Sequence, residues 1–150
     1  MSLRLTSSGH CIECERLRQT AHREDAWRRR GILFGELPLQ WDDFVSCLAF
    51  QGGQCATCKT RLSITSSPRP DADHEHETGQ FRGVCCSRCN GLLSRYESGN
   101  GLPAMPLLVG AFQHYMYENP AVRLTEVLGE SPRGHSSEPS VERRLKGSSL

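Results

Sequence analysis

Apolar residues fall into helical registers over two parts of the chain and lose them in between. Trp41, Phe44, Val45 and Leu48 stand at i, i+3, i+4 and i+7, which predicts a helix over 40–50 with one apolar face. Gln51-Gly52-Gly53 closes it. Upstream, residues 12–30 are polar and rich in arginine and read as a helix capped by Gly31. Downstream, Leu108, Ala111, Phe112 and Tyr115 share one side of a predicted helix over 104–117, stopped by Asn119-Pro120. A short turn of helix is expected around 124–128. The intervening stretch, 55–98, is dominated by Cys, His, Gly and turn formers, with a short helix expected over Asn90–Tyr96. From Gly129 onward Ser, Pro, Gly, Glu and Arg prevail, the composition of a disordered tail. The expected organisation is a helical N-terminal region (1–54), a Cys/His-rich core (55–98), a C-terminal helical segment (99–130) and a disordered tail (131–150), in the α+β class.

Composition sharpens this picture. With 37% apolar residues and a mean hydropathy of −0.50 over 150 residues, the supply for a core is thin. Chains of this kind often draw on a metal or a partner. No stretch is long and apolar enough to span a membrane, and Met1–Thr6 lacks the apolar run of a secretory signal. The expected location is therefore the cytoplasm, of a bacterium or of a phage-infected host cell. Six of the eight cysteines lie in C-x-x-C pairs, which in a reducing compartment favours metal over disulfide. Net charge is only +1, so no global field draws the chain onto nucleic acid. Locally the charge is uneven: residues 1–30 are basic, 31–54 acidic and the remainder near balance. Arginine outnumbers lysine sixteen to two, as a GC-rich genome or a need for forked phosphate contacts would produce.

Cys55-Ala-Thr-Cys58 and Cys86-Ser-Arg-Cys89 are separated by 27 residues. Each is a knuckle, a tight turn presenting two thiolates. Together they form the closed four-sulfur shell of a structural zinc. Four thiolates are tolerable together only around a dication. Cys85 is expected on the opposite face of its strand, and Cys47 as a small buried apolar residue. A third pair, Cys11-Ile-Glu-Cys14, has no obvious mate. His10 and His22 would complete a second zinc site, the pair would bind metal across a dimer, or it stays unligated.

Between the knuckles lies Asp71-Ala-Asp-His-Glu-His-Glu77. Such a run is commonly a solvated turn. Here zinc would pin both of its ends, so the side chains would sit on a rigid scaffold. On a strand, His74 and His76 share one side. Asn90, directly after Cys89, approaches Asp73 if zinc clamps its helix on the hairpin. A carboxylate and an amide oxygen suit Mg²⁺ or Mn²⁺, and an imidazole suits a general base. Metal, base and a nearby arginine are what phosphodiester hydrolysis requires.

These residues, Gln51-Gly-Gly-Gln-Cys55-Ala-Thr-Cys58, Asp73-His74-Glu75-His76-Glu77-Thr78-Gly79 and Arg82-Gly83-Val84-Cys85-Cys86-Ser-Arg-Cys89-Asn90, resemble the phage recombination endonuclease VII family, a branch of the His-Me (HNH, ββα-metal) nucleases. The resemblance covers about 51–93. It implies a zinc-stabilised ββα-metal core flanked by helices, with zinc on Cys55, Cys58, Cys86 and Cys89. It also implies catalytic Mg²⁺ on Asp73 and Asn90, and His74 as the base. His76 would be a second functional histidine, and Glu77 matches the motif as a catalytic or supporting residue. Family members resolve branched DNA, Holliday junctions included, as intertwined dimers. Leu93 stands where resolving members carry a catalytic Glu, Asp71 stands in place of a histidine, and the C-terminal half is short. Junction resolution by a homodimer and weakly specific nicking of duplex DNA therefore both stay open.

Arg82, Arg88 and Arg95 frame the expected site, and Arg16, Arg23 and Arg30 recur every seven residues on the first helix. All six are candidate DNA contacts, against the alternative of a solvated helix face interleaved with Glu13, Glu15, Glu24 and Asp25. Outside the nucleases, a non-catalytic zinc module binding nucleic acid is the main competitor. A C-x-x-C redox protein lacks the βαβ context.

Overall fold

The computed structural model describes residues 11–100 and 106–129. The expected disordered tail, and His10, lie outside the described residues. The chain runs α1 (Ile12–Arg29), β1 (Leu33–Phe34), β2 (Leu37–Pro38), α2 (Trp41–Phe50), β3 (Pro70–His74), β4 (Phe81–Cys86), α3 (Ser87–Glu97), α4 (Pro106–Tyr117) and α5 (Pro120–Leu128). This is the expected α+β arrangement. Among the described residues the two sheets are separate antiparallel pairs, β1–β2 and β3–β4. Among the described residues no helix is long and apolar enough to cross a membrane.

Two anchors hold the molecule together. The first is an aromatic cluster that docks α1 and α2 on β4. Trp27 lies 5.0 Å from Phe44, Trp41 lies 5.4 Å from Phe44, and Phe44 meets Phe81 at 6.5 Å between ring centroids. Only Trp27 of α1 is buried, so this helix is attached through its C-terminal half. There Glu24 accepts a 2.7 Å hydrogen bond from the Trp41 amide, serving a free N–H at the start of α2. The N-terminus of α2 is closed by a capping box between Gln40 and Asp43.

The second anchor is Gln51. Its amide group accepts from the Val84 N–H at 2.8 Å and donates to the Val84 carbonyl at 2.8 Å. The side chain thus pairs with β4 as a neighbouring strand residue would. This satisfies backbone groups of a strand buried along its whole length. The glutamine of the Gln51-Gly-Gly motif therefore joins the end of α2 to the hairpin.

The β3–β4 hairpin is regular from Pro70↔Cys86 to Asp73↔Gly83 and then slips, pairing His74 with Phe81. Arg82 is the extra residue of this bulge. Bulges bend a strand and redirect side chains, and here the side chain redirected is a buried guanidinium. At the far end, the turn closes through Gly79, whose φ is +75°. A Cβ there would fall 2.2 Å from the Gly31 carbonyl oxygen, and the Gly79 carbonyl accepts from Leu33 N–H at 2.9 Å. Only glycine permits both the conformation and this approach.

Three helices are as expected in position: α1, α2 and α4, the last within the residues described. α3 begins at Ser87, ahead of the expected Asn90, and α5 begins at Pro120, ahead of the expected turn. Asn119 explains the second difference. It ends α4 and also caps α5, its side chain accepting from Val122 N–H at 3.1 Å with Pro120 following.

Candidate metal centre and hydrolytic site

The sulfurs of Cys55, Cys58, Cys86 and Cys89 lie within 4.8 Å of one another, with Cys58 and Cys86 3.9 Å apart. A tetrahedral shell with Zn–S near 2.3 Å places sulfurs roughly 3.8 Å apart, so the set fits zinc. Local backbone builds both knuckles. In the first, Cys55 N–H donates to Thr60 O and Lys59 N–H to Cys55 O, with Lys59 at φ 62°. In the second, Cys86 caps α3, its sulfur accepting from Cys89 N–H at 3.4 Å. Cys86 N–H also donates to the Cys55 sulfur at 3.3 Å. Cys55 is held toward thiolate by hydrogen bonds from Cys85 and Cys89.

Cys85 lies outside the quartet, as expected. Its thiol is fully buried between Cys55 and Tyr115, and the bond to Cys55 followed by burial keeps it protonated. Cys47 is also fully buried, its thiol pushed up to about 12 by burial and donating to Gln51 Oε1 at 3.4 Å. Among the described residues no third ligand, His22 included, joins Cys11 and Cys14.

Asp73 sits at the end of β3 with 3% exposure. Arg82 grips it with two bonds, Nε to Oδ2 at 2.8 Å and Nη2 to Oδ1 at 3.1 Å. Tyr115, from α4, donates to Oδ2 at 2.7 Å. Burial first, then Cys85 and Asp73, push the Tyr115 hydroxyl well above its ordinary range, so it remains a donor. Arg82 reaches Glu97 with its other face, Nη1 to Oε1 at 2.5 Å and Nη2 to Oε2 at 3.0 Å. Burial opposes the charge of Arg82, but its bonds to Glu97 and Asp73 outweigh this and raise it. Arg82, expected against DNA, is thus buried between two carboxylates and closed to phosphate.

His74 is half-buried beside Asp73. Burial, then His76, lower its affinity for a proton; Asp73 opposes them, while Arg82 and Arg30 add to the lowering. It is therefore a neutral imidazole near pH 7. Its ring meets that of His76 edge-on at 5.1 Å. His76 does not continue the strand, as the shared-side reading required, but lies in the turn after it, with Nδ1 3.5 Å from Glu97 Oε2. Glu77 is exposed on the same turn.

Asn90 is half-buried on the first turn of α3, and its side chain has no hydrogen-bond partner among the described residues. It opens onto a polar cleft that Asp71 and Ala72 also line, whereas Asp73 does not line it. Both residues keep oxygen capacity for a divalent cation. Asp73 Oδ1 accepts a single hydrogen bond, and the Asn90 carbonyl accepts none among the described residues.

Of the other candidate DNA contacts, Arg23 and Arg30 line that same cleft. Arg16 is exposed and paired with Glu13 at 3.7 Å. Arg88 and Arg95 are exposed on α3. Sequence reasoning missed Glu97 and Tyr115. A lone base in the otherwise apolar Phe81-Arg82-Gly-Val-Cys-Cys strand was a signal, since a buried guanidinium requires a carboxylate.

Residues 40–104 match the family model of recombination endonuclease VII, so the resemblance read from the motifs holds over this stretch. The chain is 29% identical over 126 residues to the Gene 59 protein of Mycobacterium phage L5 and 28% identical over 120 residues to that of Mycobacterium phage D29. Each match covers 80% of this chain and 66% of the relative, just under two thirds of its length. No solved structure matches.

Proposed function

We propose that this chain, whose residues 40–104 match the recombination endonuclease VII family, is a divalent-metal-dependent DNA endonuclease that hydrolyses phosphodiester bonds. The observation that supports it best is His74, a neutral imidazole next to the clamped Asp73 on a hairpin whose other end carries the sulfur quartet. In this reading His74 takes the proton from the attacking water. Arg82 and Tyr115 fix the Asp73 carboxylate in orientation. Glu97 anchors Arg82 from behind and steadies His76 at the edge of the site. Asp73 Oδ1 and the Asn90 side-chain oxygen would hold Mg²⁺ or Mn²⁺, which supplies charge stabilisation to the phosphorane and the leaving 3′ oxygen. Because Asn90 shares its cleft with Asp71, Asp71→Asn and Asp73→Asn are compared: loss of metal-dependent cleavage in Asp73→Asn alone supports this ligand pair.

The finer substrate is a branched junction or a plain duplex, encountered inside an infected bacterial cell. Zinc-loaded protein is offered a four-way junction and a linear duplex of the same sequence, with and without Mg²⁺. Metal-dependent cutting that disappears in His74→Ala, at unchanged zinc content, supports the nuclease. Equal cutting of both substrates overturns junction resolution. Cutting that survives in His74→Ala overturns the assigned base, and absence of any cutting leaves a zinc module that only binds.

A further inference from the structure

The cleft beside Asn90 has a volume of about 370 Å³, near the lower end of ligand pockets, about 300–1,000 Å³. Three arginines from two separate parts of the chain line it: Arg23 and Arg30 from α1 and its C-terminal cap, and Arg69 from the loop before β3. Among the described residues Asp71 is the one carboxylate that lines it, against three arginines, a net positive charge. Ser87 and Asn90 add neutral donors from the first turn of α3, whose N-terminus contributes partial positive charge. α1 precedes the stretch matched by the family model, so nothing in that match accounts for its part in the cleft.

Like charges gathered in this way repel unless an anion lies between them. Arg23 is half-buried with its guanidinium 5.4 Å from the centre of the Trp41 ring, which fixes its position. Burial works against its charge, Asp71 supports it, and Arg69 opposes it. Among the described residues neither Arg30 nor Arg69 forms an ion pair. The guanidinium fork matches the oxygens of a phosphodiester.

We infer that this cleft is a phosphate subsite, in which Arg23, Arg30 and Arg69 hold a backbone phosphodiester of the DNA strand next to the bond being cut. This rests on the nuclease reading, and it makes α1 a clamp on the substrate backbone, docked through Trp27 and Trp41 so that Arg23 and Arg30 face the hairpin.

The test measures binding of a short labelled duplex to zinc-loaded His74→Ala protein without Mg²⁺, so that the duplex stays intact, over a range of salt. Adding Arg30→Ala and Arg69→Ala should weaken binding about tenfold to a hundredfold, the range for losing a charge-assisted hydrogen bond. It should also make the slope of log affinity against log salt shallower by about 0.9, the value for one phosphate. Arg18→Ala with Arg28→Ala removes the same charge from the other side of α1 and should leave affinity within about twofold and the slope unchanged. Zinc content and melting temperature are checked against the parent. If the pair fails to fold, Arg69→Ala alone, on an exposed loop, should give the same shift at smaller amplitude. Equal losses from both pairs, or no loss from either, overturn the subsite. No binding by the parent protein overturns the nuclease reading instead.

Discussion

Tyr115→Phe removes one oxygen and keeps the ring, so it isolates the bond from α4 to Asp73. The hydroxyl is buried and donates to Oδ2 at 2.7 Å, one of three hydrogen bonds on that carboxylate. A hydrogen bond to a charged group contributes about 1.5–3 kcal/mol, and no large cavity opens because the ring still fills its place. The Cys85 thiol, which neighbours the hydroxyl, also loses a partner. The expected cost is therefore about 2 kcal/mol, or roughly 4–8 °C of melting temperature for a chain of 150 residues. Urea unfolding of zinc-loaded protein, followed by circular dichroism, reads it. Tyr117→Phe is the control, since Tyr117 is 90% exposed and should change nothing measurable. If the two variants are indistinguishable, the hydroxyl bond to Asp73 adds nothing to stability, and the account of how this carboxylate is held fails.

Cys58→Ser should remove bound zinc and unfold the hairpin and α3, because structural zinc contributes on the order of 10 kcal/mol or more in small domains; metal analysis and far-UV circular dichroism would show both losses together. Gly79→Ala should destabilise by more than about 1 kcal/mol, since alanine resists a positive φ and its Cβ meets the Gly31 carbonyl; a shift of the unfolding midpoint below that size counts against the close approach. Because burial and His76 lower the His74 pKa from 6.5, and the neutral form is the base, cleavage should persist through pH 6.5 and decline only below it; an acid limb centred at or above 6.5 contradicts this.

Much of the fold could be read from short-range patterns. The i, i+3, i+4, i+7 set on α2 packs as its periodicity indicates, with Phe44 and Leu48 buried and Trp41 and Val45 against the core. The sulfur quartet followed from spacing alone, because knuckle geometry is local. What the sequence hid was long-range. Tyr115 reaches Asp73 across 42 positions and Glu97 reaches Arg82 across 15, and no local periodicity encodes either pairing. The β1–β2 hairpin has strands of two residues, too short to alternate visibly. Arg82 was misassigned for a related reason: beside a glycine near the expected site it reads as a surface contact, and the bulge turns it inward. Arg69 gave no sign at all, since its importance arises where its loop meets α1.

Both tryptophans of the chain belong to the joint between α1 and α2, stacked with ring centroids 6.3 Å apart. Indole fluorescence of this molecule therefore watches a single seam. A change in emission on adding oligonucleotide would report on the joint where the Arg23 guanidinium lies over Trp41, while metal analysis follows the sulfur centre. The two ends of the hairpin can thus be followed by separate optical and metal-based readouts without introducing any label.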